Sequence, residues 1–548
     1  MYLTIITSDY GILSINRNLI SKLEDVNYIM ELSEGIFGVD EEFVITYILQ
    51  PILYTLEEIS AIEASKVNIL QTNIELNLTG KGVLVGIIDT GIDYLNEEFM
   101  DRYGNTRISA IWDQTIPSKD YETKDIPFGK LYTREEINEA IKLKQSGGDP
   151  YTIVASKDED GHGTHMAGIL GASGKSMRGI AYESEFVVVK LLRSSFLGNI
   201  IDGDIYTYGT EAIIPAIEFM SKYKKEVNKP IVILLPLGTT FTSHRGKSLL
   251  DIYIELVTSK TGIVVVTGTG NEGINDNHSS GLVKKVEDIS IVDIIISADQ
   301  ENMALEFWAG LPNIFELSIV SPSGEETGFI SASLNSSEDH KFVFEKTTVS
   351  IYYYIPHEYS GDELVRVYFR NVKSGVWRLK ARLAKGNLAS YNIWLLQNGI
   401  TKKHTRVTPS DSYGTIMSPA DSDFTVTVAA YNQNSNSILL ESGIDFADSN
   451  AYKIDFAAGG EYTTTTGLNN TLVDIRGSSL AAAIGAEACI LLFQWGIVQG
   501  NYPDMYPLTL KTFLRRGTIK RSGDFYPNSH WGFGIIDFYK IFENLSNA

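Results

Sequence analysis

Three segments of this chain set a carboxylate, an imidazole and a hydroxyl among small residues. Asp89 closes the apolar run Gly82-Val83-Leu84-Val85-Gly86-Ile87-Ile88 and is followed by Thr90-Gly91. His162 stands in Asp160-Gly161-His162-Gly163-Thr164-His165-Met166-Ala167-Gly168, and Ser479 in Arg476-Gly477-Ser478-Ser479-Leu480-Ala481-Ala482-Ala483. Each has a plain reading by itself: a strand-end turn, a histidine packed in a helix, a serine capping one. Taken together they supply what nucleophilic catalysis needs. A serine hydroxyl is a weak nucleophile and requires a base, and that base requires an orienting carboxylate. A helix that opens at the serine also offers backbone N–H groups and the positive end of its dipole to a developing oxyanion. His162 and His165 are spaced for a metal on one helix face, but no His-Glu-x-x-His pattern and no suitably spaced acidic third ligand accompany them. His165 is expected to pack in the helix, with no metal and no cofactor.

The elements around these residues read as a layered α/β unit. Gly82–Asp89, Phe186–Leu192, Ile231–Leu235 and Gly262–Val266 are continuous apolar runs, with helical segments such as Glu211–Tyr223 and Leu249–Ser259 between them. This alternation predicts a parallel sheet with helices on both faces, and catalysis at the strand ends. Between 284 and 410 the texture becomes short alternating strands with turns rich in Gly, Pro, Ser and Asn. That predicts an inserted β-sandwich or jelly-roll domain, with Trp308, Trp377 and Trp394 as anchors. The βα texture returns with Phe424–Ala430 and a small-residue helix over Ser479–Trp495. Residues 1 to 50 carry strand-like runs at Tyr2–Ile6 and Phe43–Tyr47 and a helical pattern over Asn16–Met30. A unit this small has a thin core and needs a partner surface. Leu56–Leu70 reads as helical.

The chain has 548 residues and a formal net charge of −22. That charge argues against nucleic acid or an anionic membrane as the main partner. The only cysteine, Cys489, excludes an intramolecular disulfide and a cysteine-based zinc cluster. No run of about 20 apolar residues stands out as a membrane span. The first residues, Met1-Tyr2-Leu3-Thr4-Ile5-Ile6, do not read as a secretory signal, so cytoplasmic synthesis is expected.

The order Asp…His…Ser is that of subtilisin. The surroundings Asp89-Thr90-Gly91, His162-Gly163-Thr164-His165 with Ala167-Gly168, and Gly477-Ser478-Ser479-Leu480-Ala481 resemble the motifs of the subtilisin-like serine peptidases. The resemblance covers about 82–283 and 411–540, including Trp531-Gly532-Phe533-Gly534. It implies a subtilisin-like fold, a triad of Asp89, His162 and Ser479, and Asn271 of Gly268-Thr269-Gly270-Asn271-Glu272-Gly273 as an oxyanion donor. Gly268 and Gly270 would line the substrate site. Pro236, Leu237 and Gly238 resemble the strand along which a peptide or protein substrate lies extended.

There are departures. Ser478 replaces the usual threonine before the nucleophile, Ala483 a proline, and Pro236 a serine. Ala457-Ala458-Gly459-Gly460 lacks the common Ala-Pro-Gly proline. Pro236 has no N–H but keeps its carbonyl. Within the insertion, Phe307-Trp308-Ala309-Gly310-Leu311-Pro312 and Ser321-Pro322-Ser323-Gly324-Glu325, preceded by Asn277-His278-Ser279-Ser280-Gly281, resemble the Csp germination proteases of clostridial spores. That resemblance implies a self-cleaved N-terminal prosegment (1–55) that stays bound. It implies a catalytic domain in two parts (56–283 and 411–548) around the insertion (284–410). A spore cortex-lytic proenzyme is the implied target, and packaging in the spore the implied location. Two alternatives remain open: a pseudoprotease acting as a germination signal receptor or scaffold, and cation binding by Asp158, Glu159 and Asp160.

Overall fold

The structure is a computed structural model. It describes residues 63–66, 76–117, 126–194, 205–447 and 452–546, with the backbone of short strands at 6–7, 12–13 and 53–56. The expected Asn16–Met30 helix and Phe43–Tyr47 strand lie outside the described residues. Of Tyr2–Ile6 only the last residue is described, in the strand Ile6–Thr7 paired with Ile12–Leu13.

Seven parallel strands form the central sheet. In spatial order they are Phe456–Gly459, Thr425–Asn432, Ile263–Gly268, Ile231–Leu234, Leu84–Asp89, Glu185–Lys190 and Ile108–Asp113. Short strands extend both edges. Alternate residues of each strand enter different cores, which is why the runs are apolar throughout. Val85, Ile87, Val232, Leu234, Val264 and Val266 pack with the helices His162–Gly171 and Ser478–Phe493. Leu84, Ile88, Ile231, Ile233, Ile263 and Val265 pack with the helices Thr210–Glu226 and Leu249–Thr258. The first strand, Leu84–Asp89, lies in mid-sheet with its successors on either side, so Asp89 ends at a topological switch point.

One expectation is corrected. The helix Ser478–Phe493 continues through a π-turn to Val498, giving 21 residues apolar enough to cross a bilayer by length and composition. It is instead a core helix, most of it buried against the sheet. Its Glu487 is fully buried, and burial holds that carboxyl far above the usual range, hence neutral. A second correction concerns Leu56–Leu70: Leu56 ends the strand Leu53–Leu56, and a single 3₁₀ turn forms at Glu63–Ser65. The remaining positions of that stretch, 57–62 and 67–70, lie outside the described residues.

The region after residue 277 is a pair of antiparallel sheets packed face to face. One is ordered His278–Val283, Ala389–Leu395, Met303–Ala309, Glu363–Arg370, Thr348–Tyr354, Ser337–Lys341. The other is ordered Ile314–Val320, Gly375–Lys385, Ile289–Ile296, Arg406–Thr408. Phe307, Val349, Ile351, Val365, Val367 and Ile393 of the first meet Ile294, Phe315, Leu317, Trp377 and Leu379 of the second in one core. The first strand starts at His278, ahead of residue 284, because Ser279-Ser280-Gly281 hides its strand character. Ser337–Lys341, all polar, is an edge strand without an apolar signal.

The outer face of the six-stranded sheet is also buried, against the α/β unit. Ala304, Tyr368, Leu396 and Ile400 pack with Phe241, and Trp308, Tyr354, Leu364 and Trp394 with Phe446. Trp394 is sandwiched between two histidine rings: His244 at 4.0 Å and His278 at 4.7 Å between centroids, both nearly parallel to it. Its Nε1 donates to the Gly414 carbonyl at 3.0 Å. Arg366 pairs with Glu306, whose other oxygen accepts from Trp308 Nε1 at 2.8 Å, so the buried charges on this face are matched. An interface of this kind couples the insertion firmly to the α/β unit.

Trp394→Ala should therefore cost about 3–5 kcal/mol, measured by denaturant unfolding, and should open both joints of the insertion to limited proteolysis. A variant with wild-type stability and uncut joints would mean the stack carries no interface energy.

The buried carboxyls give the stability a defined pH dependence. Glu363 is fully buried, with Phe315 N–H on one oxygen at 2.8 Å, and burial pushes it up to about 8 from 4.5. Its contribution is full below 4.5 and is lost as pH rises through about 8. The half-buried His165 and the buried His357 work oppositely: burial lowers them to about 4 and about 3, so what they contribute is lost only below 6.5. Between pH 6.5 and 8 Glu363 acts in the same direction as the carboxyls of Glu211, Glu272 and Asp251, which burial also raises. Unfolding free energy should fall there, and Glu363→Gln should flatten the slope by up to about 1.4 kcal/mol per pH unit. An unchanged slope in the variant would rule Glu363 out.

Candidate active site

Asp89 is the last residue of its strand and His162 the first of its helix. His162 Nδ1 lies 2.9 and 2.8 Å from the two oxygens of Asp89, and both side chains are almost fully buried. Asp89 also accepts from the Thr90 N–H at 2.6 Å. An acceptor facing Nδ1 fixes that nitrogen as the protonated one and makes Nε2 the basic one. Gly163 allows the approach: a Cβ there would stand 2.1 Å from the Gly91 carbonyl oxygen and 3.2 Å from Asp89 Cβ. Its N–H instead donates to Thr90 Oγ1 at 2.9 Å.

Asp158 caps the same helix. Its Oδ1 accepts from Gly161 N at 2.8 Å, and its Oδ2 from Thr164 N at 3.0 Å and Thr164 Oγ1 at 2.7 Å. Both oxygens thus serve the backbone and side chain of the His162 turn, which explains Asp158 without a cation. Among the described residues no group of three or more His, Cys, Asp or Glu could hold a metal ion. His165 sits in the helix, half-buried, as expected.

Ser479 is the second residue of the helix Ser478–Phe493, which is buried along its first turn and packs against the helix carrying His162. Asn271 reaches the same turn: its Oδ1 accepts a long hydrogen bond, 3.4 Å, from Ser478 N–H. That bond leaves the Nδ2 amide as the side chain's donor beside the helix N-terminus. Gly268 ends the strand Ile263–Gly268, and Gly270 follows with φ +88°; a side chain there would meet Met417 Sδ at 2.4 Å. Asn271 is thus presented by a turn that only glycine accommodates.

Leu237–Gly238 is a strand, with Pro236 just before it. A second short strand, Tyr208–Gly209, stands parallel to it in space with room for one more between them. Leu53–Leu56 fills that room, antiparallel to both: Leu56 opposite Leu237, Thr55 opposite Gly238, Tyr54 opposite Tyr208 and Leu53 opposite Gly209. The sequence offered no signal for Tyr208–Gly209, a two-residue edge at a helix start.

The structure therefore brings Asp89 to His162 and Asn271 to the Ser478–Ser479 turn, and lays a strand along Leu237–Gly238. Residues 80–337 match the subtilase family. The fold is similar to that of the Clostridium perfringens CspB protease, with a TM-score of 0.78 and 30% identity over 88% of this chain and 98% of that one. Similar in sequence are the serine protease AprX of Bacillus subtilis, 28% identical over 39% of this chain and 39% of its own length, and the PII-type proteinase of Lacticaseibacillus paracasei, 26% identical over 37% and 10%. The alignments thus span well under half of these two relatives. The chain belongs to the subtilase family.

Asp89→Asn should leave the fold intact, since the amide oxygen still accepts from Thr90, but present the wrong partner to His162. Serine reactivity should fall by about 10⁴, read as the rate of labelling by a fluorophosphonate. Labelling within tenfold of wild type would separate this pair from the chemistry.

Proposed function

We propose that this chain is a serine endopeptidase of the subtilisin type that first cuts its own N-terminal segment. Asp89 orients His162, and His162 Nε2 takes the hydroxyl proton of Ser479 as the oxygen attacks the scissile carbonyl. Asn271 Nδ2 and helix N–H groups receive the oxyanion. His162 then passes its proton to the leaving amine, and water repeats the sequence on the acyl-enzyme. The departures at Ser478, Ala483 and Pro236 remove none of these groups.

The observation that carries this reading is the strand Leu53–Leu56. A chain segment held antiparallel between two edges lies as a peptide substrate would. Its place in the sequence is the end of the expected prosegment. We further infer that the prosegment stays bound after the cut. The resemblance to Csp proteases supports a spore cortex-lytic proenzyme as the physiological target and packaging in the spore as the location.

Two measurements test this. Wild type should label with a fluorophosphonate at Ser479 and run as two bands on a denaturing gel but as one species in solution. The larger fragment should begin between residues 57 and 64, just past the bound strand. Ser479→Ala should give one full-length band and no label, at a stability cost of no more than about 0.5–2 kcal/mol. An unprocessed, unlabelled wild type would favour the receptor or scaffold reading instead.

A further inference from the structure

The insertion does more than cover the α/β unit: three of its residues meet both walls of the cleft. Leu395 ends the strand Ala389–Leu395; its N–H donates to the Asn277 carbonyl at 2.8 Å and its carbonyl accepts from Thr240 Oγ1 at 2.7 Å. Two residues on, the fully buried Gln397 donates from Nε2 to the Gly238 carbonyl at 3.1 Å. Asn398 N–H then donates to Glu272 at 3.2 Å.

Glu272 directly follows Asn271 and is itself buried. Its carboxyl accepts from Asn275 Nδ2 at 3.0 Å and Asn277 Nδ2 at 2.6 Å, while Asn275 Nδ2 also reaches the Asn271 carbonyl at 3.2 Å. The loop 271–277 is therefore tied around one carboxyl, and that carboxyl is tied to the insertion. On the other wall, Gly238 lies opposite Thr55 of the bound strand. A carbonyl oxygen has two lone pairs. Gln397 engages one, which fixes the peptide plane of Gly238 and so the direction in which the cleft edge meets an incoming strand.

We propose that Gln397 and Glu272 are positioning residues, through which the insertion sets the substrate strand Leu237–Gly238 and the Asn271 loop at a fixed separation. This rests on the peptidase reading above. A hydrogen bond that only satisfied buried groups would affect stability alone. One that aims the cleft edge affects binding in proportion to how far a substrate extends along it.

The test is Gln397→Leu in the full chain, with Gln397→Met, similar in length, where Leu does not fold. KM should rise about 3–10-fold, the worth of one neutral hydrogen bond, for a peptide long enough to lie against Gly238. It should change far less for a peptide that stops short of it. Glu272→Ala should act differently, lowering kcat by at least tenfold as the Asn271 loop loosens. Hydrogen exchange gives a readout without activity: in Gln397→Leu, amides over 237–240 should exchange faster while those over 478–493 do not change. Equal KM shifts for both peptides, or unchanged exchange at 237–240, would overturn the proposal. A wild type that neither cuts nor labels would instead overturn the peptidase reading, and the exchange data would still decide whether Gln397 fixes the cleft edge.

Discussion

A buried carboxylate that must keep its hydrogen-bond donors is the constraint around which this structure is arranged. Asp89 is out of water, and an unpaired ion there would cost several kcal/mol. The Thr90 amide and the His162 ring discharge that cost, and each demands something of the sequence. The ring can come close only because residue 163 is glycine. The helix that starts at His162 can begin there only because Asp158 binds its exposed N–H groups. The strand that delivers Asp89 needs helices on both faces, which sets its apolar composition. The Asp89–His162 geometry and core packing are thus satisfied by the same residues, and Thr90, Asp158 and Gly163 are as bound to their positions as the pair they serve.

The site was legible in the sequence to the extent that local chemistry defines it. Asp89, His162, Ser479 and Asn271 each sit in a stretch whose small residues serve backbone approach, and such stretches read out of a linear chain. So did the parallel strands, because burial on both faces leaves an unbroken apolar run, and most strands of the insertion, whose alternation has period two. What stayed hidden was long-range or lacked contrast. His278–Val283 is a strand by virtue of its partner Ala389–Leu395, not its own Ser-Ser-Gly. Ser337–Lys341 is polar on both faces. Gln397 and Asn398 carry no pattern at all: their role exists only because the chain returns to the cleft more than a hundred residues after Glu272.

The interface of the insertion shows how a polar surface can be buried without loss. Glu306 and Arg366 lie beside Trp308 on the outer face of the six-stranded sheet, where their charges give no sequence signal of burial. Their donors and acceptors are matched among themselves, so the face can be covered by Phe241, Phe446 and the His244–Trp394–His278 stack. What fixes the register of the insertion is the set of hydrogen bonds that cross the interface, from Trp394 to Gly414, Thr240 to Leu395 and Gln397 to Gly238, each of which a slip would leave unmade. That rigidity is what allows residues 395–398 to act on the cleft.

The cleft itself is two short sheet edges, Leu237–Gly238 and Tyr208–Gly209, with space for a single strand. Open edges carry unpaired N–H and C=O groups and invite any extended chain. Leu53–Leu56 satisfies both. Because it belongs to the same chain, it arrives at an effective concentration no free peptide of ordinary abundance reaches. A competing substrate must therefore wait until the link between strand and enzyme is cut, and even then must displace a strand paired on two sides. The affinity of the cleft for an extended chain and its protection from stray peptides come from one arrangement. The hold of the strand Leu53–Leu56 weakens only as its connection to the body does, so the proposed cut just past Leu56 would be the step that turns a sealed cleft into one open to exchange.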